Sequence, residues 1–387
     1  MTWARGPARF GVALDVSAVP ANPAGAGRYV VELAKALAER DDCDLRLLAR
    51  RDDGDRWGAI APGSHVLAVA PRSRPARIAY EQFRLGPVAS ALGLSKPAVY
   101  HGPHYSLPRR CKLPRVVTVH DMTFFDHPEW HERAKVKWFR SAMAYAVSHA
   151  DAVICVSETT AGRLREVLEP KCAVFVVPHG VDHDHFTAVE PVPRADRGVT
   201  ARLGLSRPYL LHLGTLEPRK GIADLVAAFD KLSGAHELLE LVLAGATGWK
   251  AEPILAAIAD SPNHKRIRRI GYVADSDVPA LLRRARAVVY PSLEEGFGLP
   301  ALEALACGTA LVTTQGTSMA ELAGDGALLV PVHEPDALAK AIETVLVGAE
   351  TSQAARRRAI GLEIAAGYTW AACAEGHMVA YRSAAGA

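Results

Sequence analysis

Short apolar runs separated by amphipathic stretches recur along the whole chain. FGVALDV (10–16) reads as a strand, and YVVELAKALAER (29–40) follows as a helix with Val30, Leu33, Ala34 and Leu37 on one face. LRLLAR (45–50), AVYHG (98–102), RVVTVHD (115–121), AVICVS (152–157) and AVFVVPHG (173–180) continue the series as strands. Strand-then-helix alternation predicts an α/β fold with a parallel, doubly wound sheet.

The rhythm lapses in TAVEPVPRADRGVTARLGLSR (187–207), rich in Pro, Arg and Gly, and this predicts a boundary. It restarts with YLLHLG (209–214), the helix GIADLVAAFDKL (221–232), ELVLAG (240–245), IRRIGYV (267–273), AVVYPS (287–292) and ALLVPV (327–332). The expected organisation is one Rossmann-like domain over 1–186, a linker over 187–207 and a second Rossmann-like domain over 208–369. A terminal helix over 370–387 follows no strand and is expected to pack back on the first domain. Ligands of such sheets bind beyond the carboxyl ends of the strands, here expected in a cleft between the domains.

Length and charge narrow the function class. A chain of 387 residues can bury two cores, and a net charge of +3 gives no argument for nucleic acid. Six scattered cysteines without a CxxC spacing read as reduced thiols, as in a cytoplasm. No run approaches the roughly 18 apolar residues of a membrane span, and the first residues lack a signal peptide's apolar stretch. The expected location is therefore cytoplasmic.

Candidate chemistry gathers at predicted strand ends. In LHLGTLEPRKG (211–221), Arg219 and Lys220 stand between a strand and a helix start, which suits a diphosphate, although a plain solvated loop has the same composition. In EEGFGLPALEALACG (294–308), Glu295 follows the strand AVVY, and Pro300 opens a helix that Gly308 closes. Glu303 is expected in the first helical turn, and the N–H groups from Gly296 through Phe297 and Gly298 to Leu299 lack intrahelical partners. Carboxylates suit vicinal hydroxyls, cations suit phosphates and amides suit either; a nucleotide diphosphate sugar needs all three. Gly25 and Gly27 in NPAGAGRYV open another helix and allow close backbone approach, but Val30 replaces the last glycine of a dinucleotide fingerprint. His120 ends the strand VVTVH, followed by Asp121, and should face the cleft. His179, His183 and His185 fall around the Pro178–Gly180 turn without a completing cysteine, so no metal site is expected.

These motifs resemble the retaining, nucleotide-sugar-dependent glycosyltransferases of family 4, whose fold is GT-B: two doubly wound domains facing a central cleft. EGFGLPALEALACG resembles their E-x7-E signature, GTLEPRKG their Arg-Lys segment, GAGRY their glycine loop and VPHGVDHDHF their pre-linker motif. Ala310 stands where the pattern usually has Pro. The resemblance implies that Arg219 and Lys220 hold the diphosphate. Glu295, with Gly296, Phe297 and Gly298, would bind the donor sugar, and Glu303 the ribose. His120 would lie near the transferred hexose. HGPHYSLP with VVTVHDMTFFDHPEW is most like bacterial mannosyltransferases of polysaccharide biosynthesis, implying GDP-mannose, no cofactor and no metal. A glycan or lipid-linked acceptor is implied. Separately, Arg72, Arg74 and Arg77 lead into a stretch whose Ile78, Phe83, Leu85 and Val88 can supply an apolar side, and a peripheral contact with an anionic membrane is expected there, with an ordinary surface helix as the plainer alternative. A UDP-sugar-dependent hexosyltransferase, a nicotinamide dehydrogenase and a non-catalytic carbohydrate-binding protein remain as alternatives.

Overall fold

In the computed structural model, residues 9–23, 25–192 and 194–387 are described. The reading of the N-terminus and of the glycine loop therefore rests partly on residues 1–8 and Ala24, which lie outside the described residues. Two units are present: residues up to Gly180 together with Trp370–Ala387, and Val181–Thr369.

The first unit is built on a seven-stranded parallel sheet. Its strands are β1 (Phe10–Asp15), β2 (Cys43–Arg50), β3 (His65–Ala70), β4 (Ala98–Gly102), β5 (Arg115–Val119), β6 (Ala152–Cys155) and β7 (Ala173–Val176), in the order β3-β2-β1-β4-β5-β6-β7. All six residues of β1 are buried, as expected for a central strand covered on both faces. Val12 and Leu14 pack with Leu33 and Leu37 of helix Ala26–Ala38, whereas Ala13 joins Val117 and Met143 on the opposite face. The helix Trp370–Ala385 belongs to the first of these two clusters through Cys373, Ala374, Met378 and Tyr381.

A buried polar relay fixes that last helix. His377 Nδ1 lies 2.8 Å from the Cys373 carbonyl, which can only accept, so Nδ1 carries the proton and Nε2 accepts from Tyr29 Oη at 2.7 Å. The direction then propagates through Thr118 Oγ1 (3.0 Å from Tyr29) and His101 Nε2 (2.8 Å) to Tyr381 Oη, which donates to His101 Nδ1 at 2.7 Å. Each member is satisfied while neutral, which suits a buried network.

The second unit has a six-stranded parallel sheet. Its strands are β8 (Tyr209–Leu213), β9 (Glu240–Ala244), β10 (Ile267–Gly271), β11 (Ala287–Tyr290), β12 (Leu311–Thr314) and β13 (Ala327–Val330), in the order β10-β9-β8-β11-β12-β13. Helix Ile222–Leu232 buries Ile222, Leu225, Val226, Phe229 and Leu232 against it, the face read from the sequence.

Three expectations change. The stretch 187–207 is part of the second unit: it carries helix Ala195–Arg202, where the buried Asp196 takes two hydrogen bonds from Arg283 at 2.7 and 2.8 Å. The segment's Pro and Gly mark turns within the unit, and the chain passes between units at 180/181 and 369/370. The strands β3 and β12 were not anticipated. Finally, IAYEQFRLGPVASAL folds as helix Arg74–Tyr80, a π-helical turn Glu81–Leu85 and helix Gly86–Ser90. Leu85 is wholly buried there and does not present itself to a surface partner, Arg77 is partly covered, and Phe83 is 56% exposed.

Candidate active site

The order of the second sheet reverses between β8 and β11, and the crevice beyond such a reversal is where doubly wound sheets bind ligands. Two loops meet there. The loop after β8 carries Glu217, Arg219 and Lys220 and ends at Gly221; the loop after β11 runs from Pro291 to Gly298. Gly221 has φ +62°, and a Cβ there would lie 2.0 Å from the Pro291 carbonyl oxygen, so only glycine permits this approach. The Leu293 amide donates to the Arg219 carbonyl at 2.8 Å and pins the loops together.

The result is a buried ionic cluster. Arg219 Nη1 donates to Glu295 Oε2 at 2.7 Å, and its Nε donates to Glu217 at 3.1 Å. Lys220 Nζ bonds Glu295 Oε1 and donates to Tyr290 Oη at 2.6 Å. Ser292 Oγ donates to Glu295 Oε1 at 3.1 Å, and Ser318 Oγ to the Glu295 carbonyl at 2.6 Å. Burial alone would raise the Glu295 pKa; the charges of Arg219 and Lys220 outweigh it and bring the group to about 2. Lys220 is shifted the other way, downward, by burial and by Arg219, while Glu295 opposes the change. The two cations therefore hold the Glu295 carboxylate ionised.

Gly298 (φ +102°) caps the following helix, Leu299–Ala306, and a Cβ on it would meet Met319 Sδ at 2.2 Å. Because the helix begins at Leu299, Glu303 is its fifth residue and no acid occupies the first turn, contrary to the sequence expectation. Glu303 is 1% exposed and lies within electrostatic reach of Tyr290. The structure thus brings Arg219, Lys220 and Glu295 into direct contact, with Gly296–Leu299 and Glu303 following on the same loop and helix. Sequence reasoning missed Tyr290, Ser292, Ser318 and His212. Tyr290 and His212 are stacked 5.3 Å apart, and burial followed by the Lys220 charge brings His212 to about 4. The available signal was a polar-tipped side chain at a strand end in both AVVY and YLLHL.

Gly25, Gly27 and His120 belong to the first unit. Gly25 has φ +48° and its carbonyl accepts from the Tyr29 amide at 3.2 Å; Gly27 packs on Pro23, 2.9 Å from where a Cβ would lie. One turn further on, the Tyr29 ring stands edge-on to His120 at 5.0 Å. His120 Nε2 is 2.8 Å from the Pro103 carbonyl, so it carries the proton and Nδ1 offers a lone pair. Burial lowers the His120 pKa and keeps the ring neutral. No group of three or more His, Cys, Asp or Glu side chains that could hold a metal ion occurs among the described residues.

Comparison with known proteins agrees with this geometry. The family model for glycosyl transferases group 1 matches residues 201–361, and that for glycosyltransferase family 4 matches residues 23–185. The O-antigen chain mannosyltransferase B of Escherichia coli is 30% identical over 371 residues, covering 92% of this chain and 96% of that protein. Sucrose-phosphate synthase from Thermosynechococcus elongatus superposes with a TM-score of 0.75 at 22% identity, covering 97% of this chain and 98% of that one. HepE of Anabaena, in complex with UDP-glucose, does so with a TM-score of 0.71 at 18% identity, over 94% and 97%. Two doubly wound units of this kind are the GT-B fold, and the chain belongs to the group 1/family 4 glycosyltransferases.

Proposed function

We propose that this glycosyltransferase moves mannose from GDP-mannose to a glycan or lipid-linked acceptor of a cell-envelope polysaccharide, with retention of configuration and without a metal ion. The observation that carries the reading is the Arg219–Lys220–Glu295 cluster at a strand-to-helix crevice. A diphosphate brings more negative charge than one carboxylate and takes over both cations. Glu295 is then released to accept hydroxyl protons from the donor sugar, with the Gly296–Leu299 amides beside it. Glu303 accepts the ribose hydroxyls. As the glycosidic bond breaks, negative charge grows on the leaving diphosphate, and Arg219 and Lys220 stabilise it in place. The leaving phosphate takes the acceptor's proton on the same face, so no protein nucleophile is required. His120 Nδ1 accepts a hydroxyl of the transferred sugar.

Mannose is supported by the name of the Escherichia coli relative. A UDP-sugar donor is the second reading, favoured by the UDP-glucose complex of HepE. A thermal-shift screen of nucleotide sugars separates them. GDP-mannose should give the largest stabilisation; a larger shift with UDP-glucose replaces the first reading with the second. Activity should survive EDTA, and its loss there would show that the diphosphate needs a metal.

An anionic membrane is the proposed site of the lipid-linked acceptor, reached from the cytoplasmic side. Arg72 (paired with Asp52), Arg74 and Phe83 are exposed, and each basic side chain contributes about 1 kcal/mol at such a surface. Binding to anionic vesicles at low salt that is abolished at high salt, and weakened by Phe83→Ser, is the expected result. No sedimentation at low salt would instead mean a soluble acceptor. No described helix is long and apolar enough to cross a membrane.

A further inference from the structure

His120 is held by more than its hydrogen bond to Pro103. The Tyr29 ring stands across the imidazole with centroids 5.0 Å apart and planes at 76°, and the Tyr105 ring does so at 5.4 Å and 75°. Two rings set crosswise to one imidazole oppose its rotation about χ2, the motion that exchanges its nitrogen and carbon edges. Both are tied to Thr118, a wholly buried residue two positions before His120. The Thr118 hydroxyl donates to Tyr29 Oη at 3.0 Å, and its carbonyl accepts from the Tyr105 amide at 3.1 Å. Tyr105 is strained in this place: its φ is +63°, a left-handed conformation uncommon for a bulky side chain, and Phe139 packs on its ring at 5.7 Å. Such strain persists where packing imposes it and recurs where a side chain must be aimed. Thr118 and Tyr29 are also the middle of the buried relay, whose two ends, Tyr381 and the Cys373 carbonyl, lie on the terminal helix. The relay has one direction only, since turning any member leaves a donor facing a donor or a lone pair facing a lone pair.

We propose that Tyr29 and Tyr105 are positioning residues for His120, and that the relay makes docking of the terminal helix a condition of their action. The proposal rests on the placing of His120 at the transferred sugar and goes beyond it by naming what aims the ring. With Nε2 donating to Pro103, the two rings present Nδ1 as the acceptor and select one of the two neutral tautomers. The Tyr29 hydroxyl bonds Thr118 and His377, so its loss reaches His120 only through the freedom of the Tyr29 ring. Tyr381 acts from further away, through His101, then Thr118, then Tyr29. His104 and His179 also border the imidazole, with centroids at 5.9 and 6.0 Å, but tilted by 39° and 46° rather than crosswise, so they limit its rotation less.

Two readouts on the whole enzyme test this: NMR of isotope-labelled histidine, whose nitrogen shifts report which ring nitrogen carries the proton, and turnover of GDP-mannose, read as GDP released with water as acceptor. His120, assigned by the signal that His120→Asn removes, should show a single tautomer protonated at Nε2. Thr118→Val keeps the side-chain shape without the hydroxyl and should populate the second tautomer. It should also lower kcat and kcat/KM together by about tenfold, with KM within about twofold of the wild type. Thr118→Ser fills less space than valine but restores the hydroxyl, and should return both readouts to the wild type, a recovery that packing alone would not give. Tyr381→Phe, at the far end of the relay, should shift the His120 signal in the same direction and lower kcat about threefold. Tyr29→Leu and Tyr105→Leu, which remove the rings, should have the largest effects; if either fails to fold, Thr118→Val and Tyr381→Phe carry the comparison. A single His120 tautomer in both of these, or equal behaviour of Thr118→Val and Thr118→Ser, overturns the proposal. A wild type that releases no GDP from GDP-mannose removes the donor reading, and wild-type turnover in His120→Asn removes the place of His120 at the sugar. In either case the nitrogen spectra decide the positioning by themselves.

Discussion

Glu295 is held by Arg219, Lys220 and Ser292 at once, and that makes it a poor candidate for a simple surface ligand group. Its folded pKa, about 2, lies below the ordinary value of 4.5. The stabilisation it supplies is therefore complete above pH 4.5 and is lost as pH falls from there towards 2. Removing a partner leaves a buried charge uncompensated, so Lys220→Ala should destabilise the second unit by about 3 kcal/mol. Arg219, on the more exposed side of the cluster, should cost less stability. On binding, each of Arg219→Ala and Lys220→Ala should weaken GDP by about 1.5–3 kcal/mol, the worth of one charge-assisted contact, and GMP by much less. Isothermal titration with both nucleotides tests this; equal losses contradict the diphosphate assignment. Glu303→Gln should weaken nucleotide binding about tenfold, whereas Glu295→Gln should slow transfer about a hundredfold with GDP affinity kept. Identical behaviour of the two variants would end the division between ribose and sugar.

At the scale of elements, the site depends on two loops that glycine allows to touch. Gly221→Ala places a Cβ against the Pro291 carbonyl at a φ of +62°, and should cost on the order of 1–3 kcal/mol while separating Lys220 from Glu295. A thermal melt together with GDP titration reads both effects; a variant with wild-type values in both means the loops approach differently. The terminal helix has a comparable single point. Tyr381→Phe leaves His101 Nδ1 without a donor, and about 1–2 kcal/mol of local stability should vanish, seen as faster amide exchange in Trp370–Ala385. Most elements were legible because buried parallel strands are continuous apolar runs, as in FGVALD and ELVLA. Two were not. β3 lies at the sheet edge with exposed His65 and Ala68, so its pattern is diluted, and β12 is LVTT, in which two buried threonines find carbonyl partners at Tyr290 and Ser292. The π-turn has no sequence signature at all. It results from packing: Gly86 abuts the Arg110 carbonyl, where a Cβ would sit 2.0 Å away. The Arg219–Lys220–Glu295 cluster could be read because its residues fall at strand ends within recognisable motifs. Glu81 could not, since it stands in no motif and lies in the π-turn.

For the molecule as a whole, the two units respond differently to pH. In the first unit, burial lowers the pKa of His101, His120 and His179, takes His104 to about 3 and His377 to about 4. These rings are neutral when folded and protonate more readily when unfolded. Their contribution is full above pH 6.5, the ordinary histidine value, and is lost as pH falls towards 4. Glu81 works in the opposite sense. Its folded pKa of about 8 exceeds the ordinary 4.5, so its contribution is full below 4.5 and is lost as pH rises through 8. The first unit is thereby confined between an acid limb set by histidines and an alkaline limb set by Glu81 together with Asp15, whose pKa burial also raises. The second unit has His212 and Glu295, whose lowered values place their losses on the acid side only. Urea unfolding followed by amide exchange in each unit should show the first unit, with five lowered histidines, weakening more between pH 6.5 and 4 than the second, where His212 acts in that window and Glu295 below it. Glu81→Gln should raise the first unit's stability at pH 8.5 and leave little gain at pH 5, because the wild-type carboxyl is already protonated when folded at the lower pH. A gain of equal size at both values would mean that Glu81 is ionised throughout and that its burial among Asp15, Tyr100 and Ser106 imposes no cost. A loss at both would mean that the carboxyl is needed for packing, with no role for its proton.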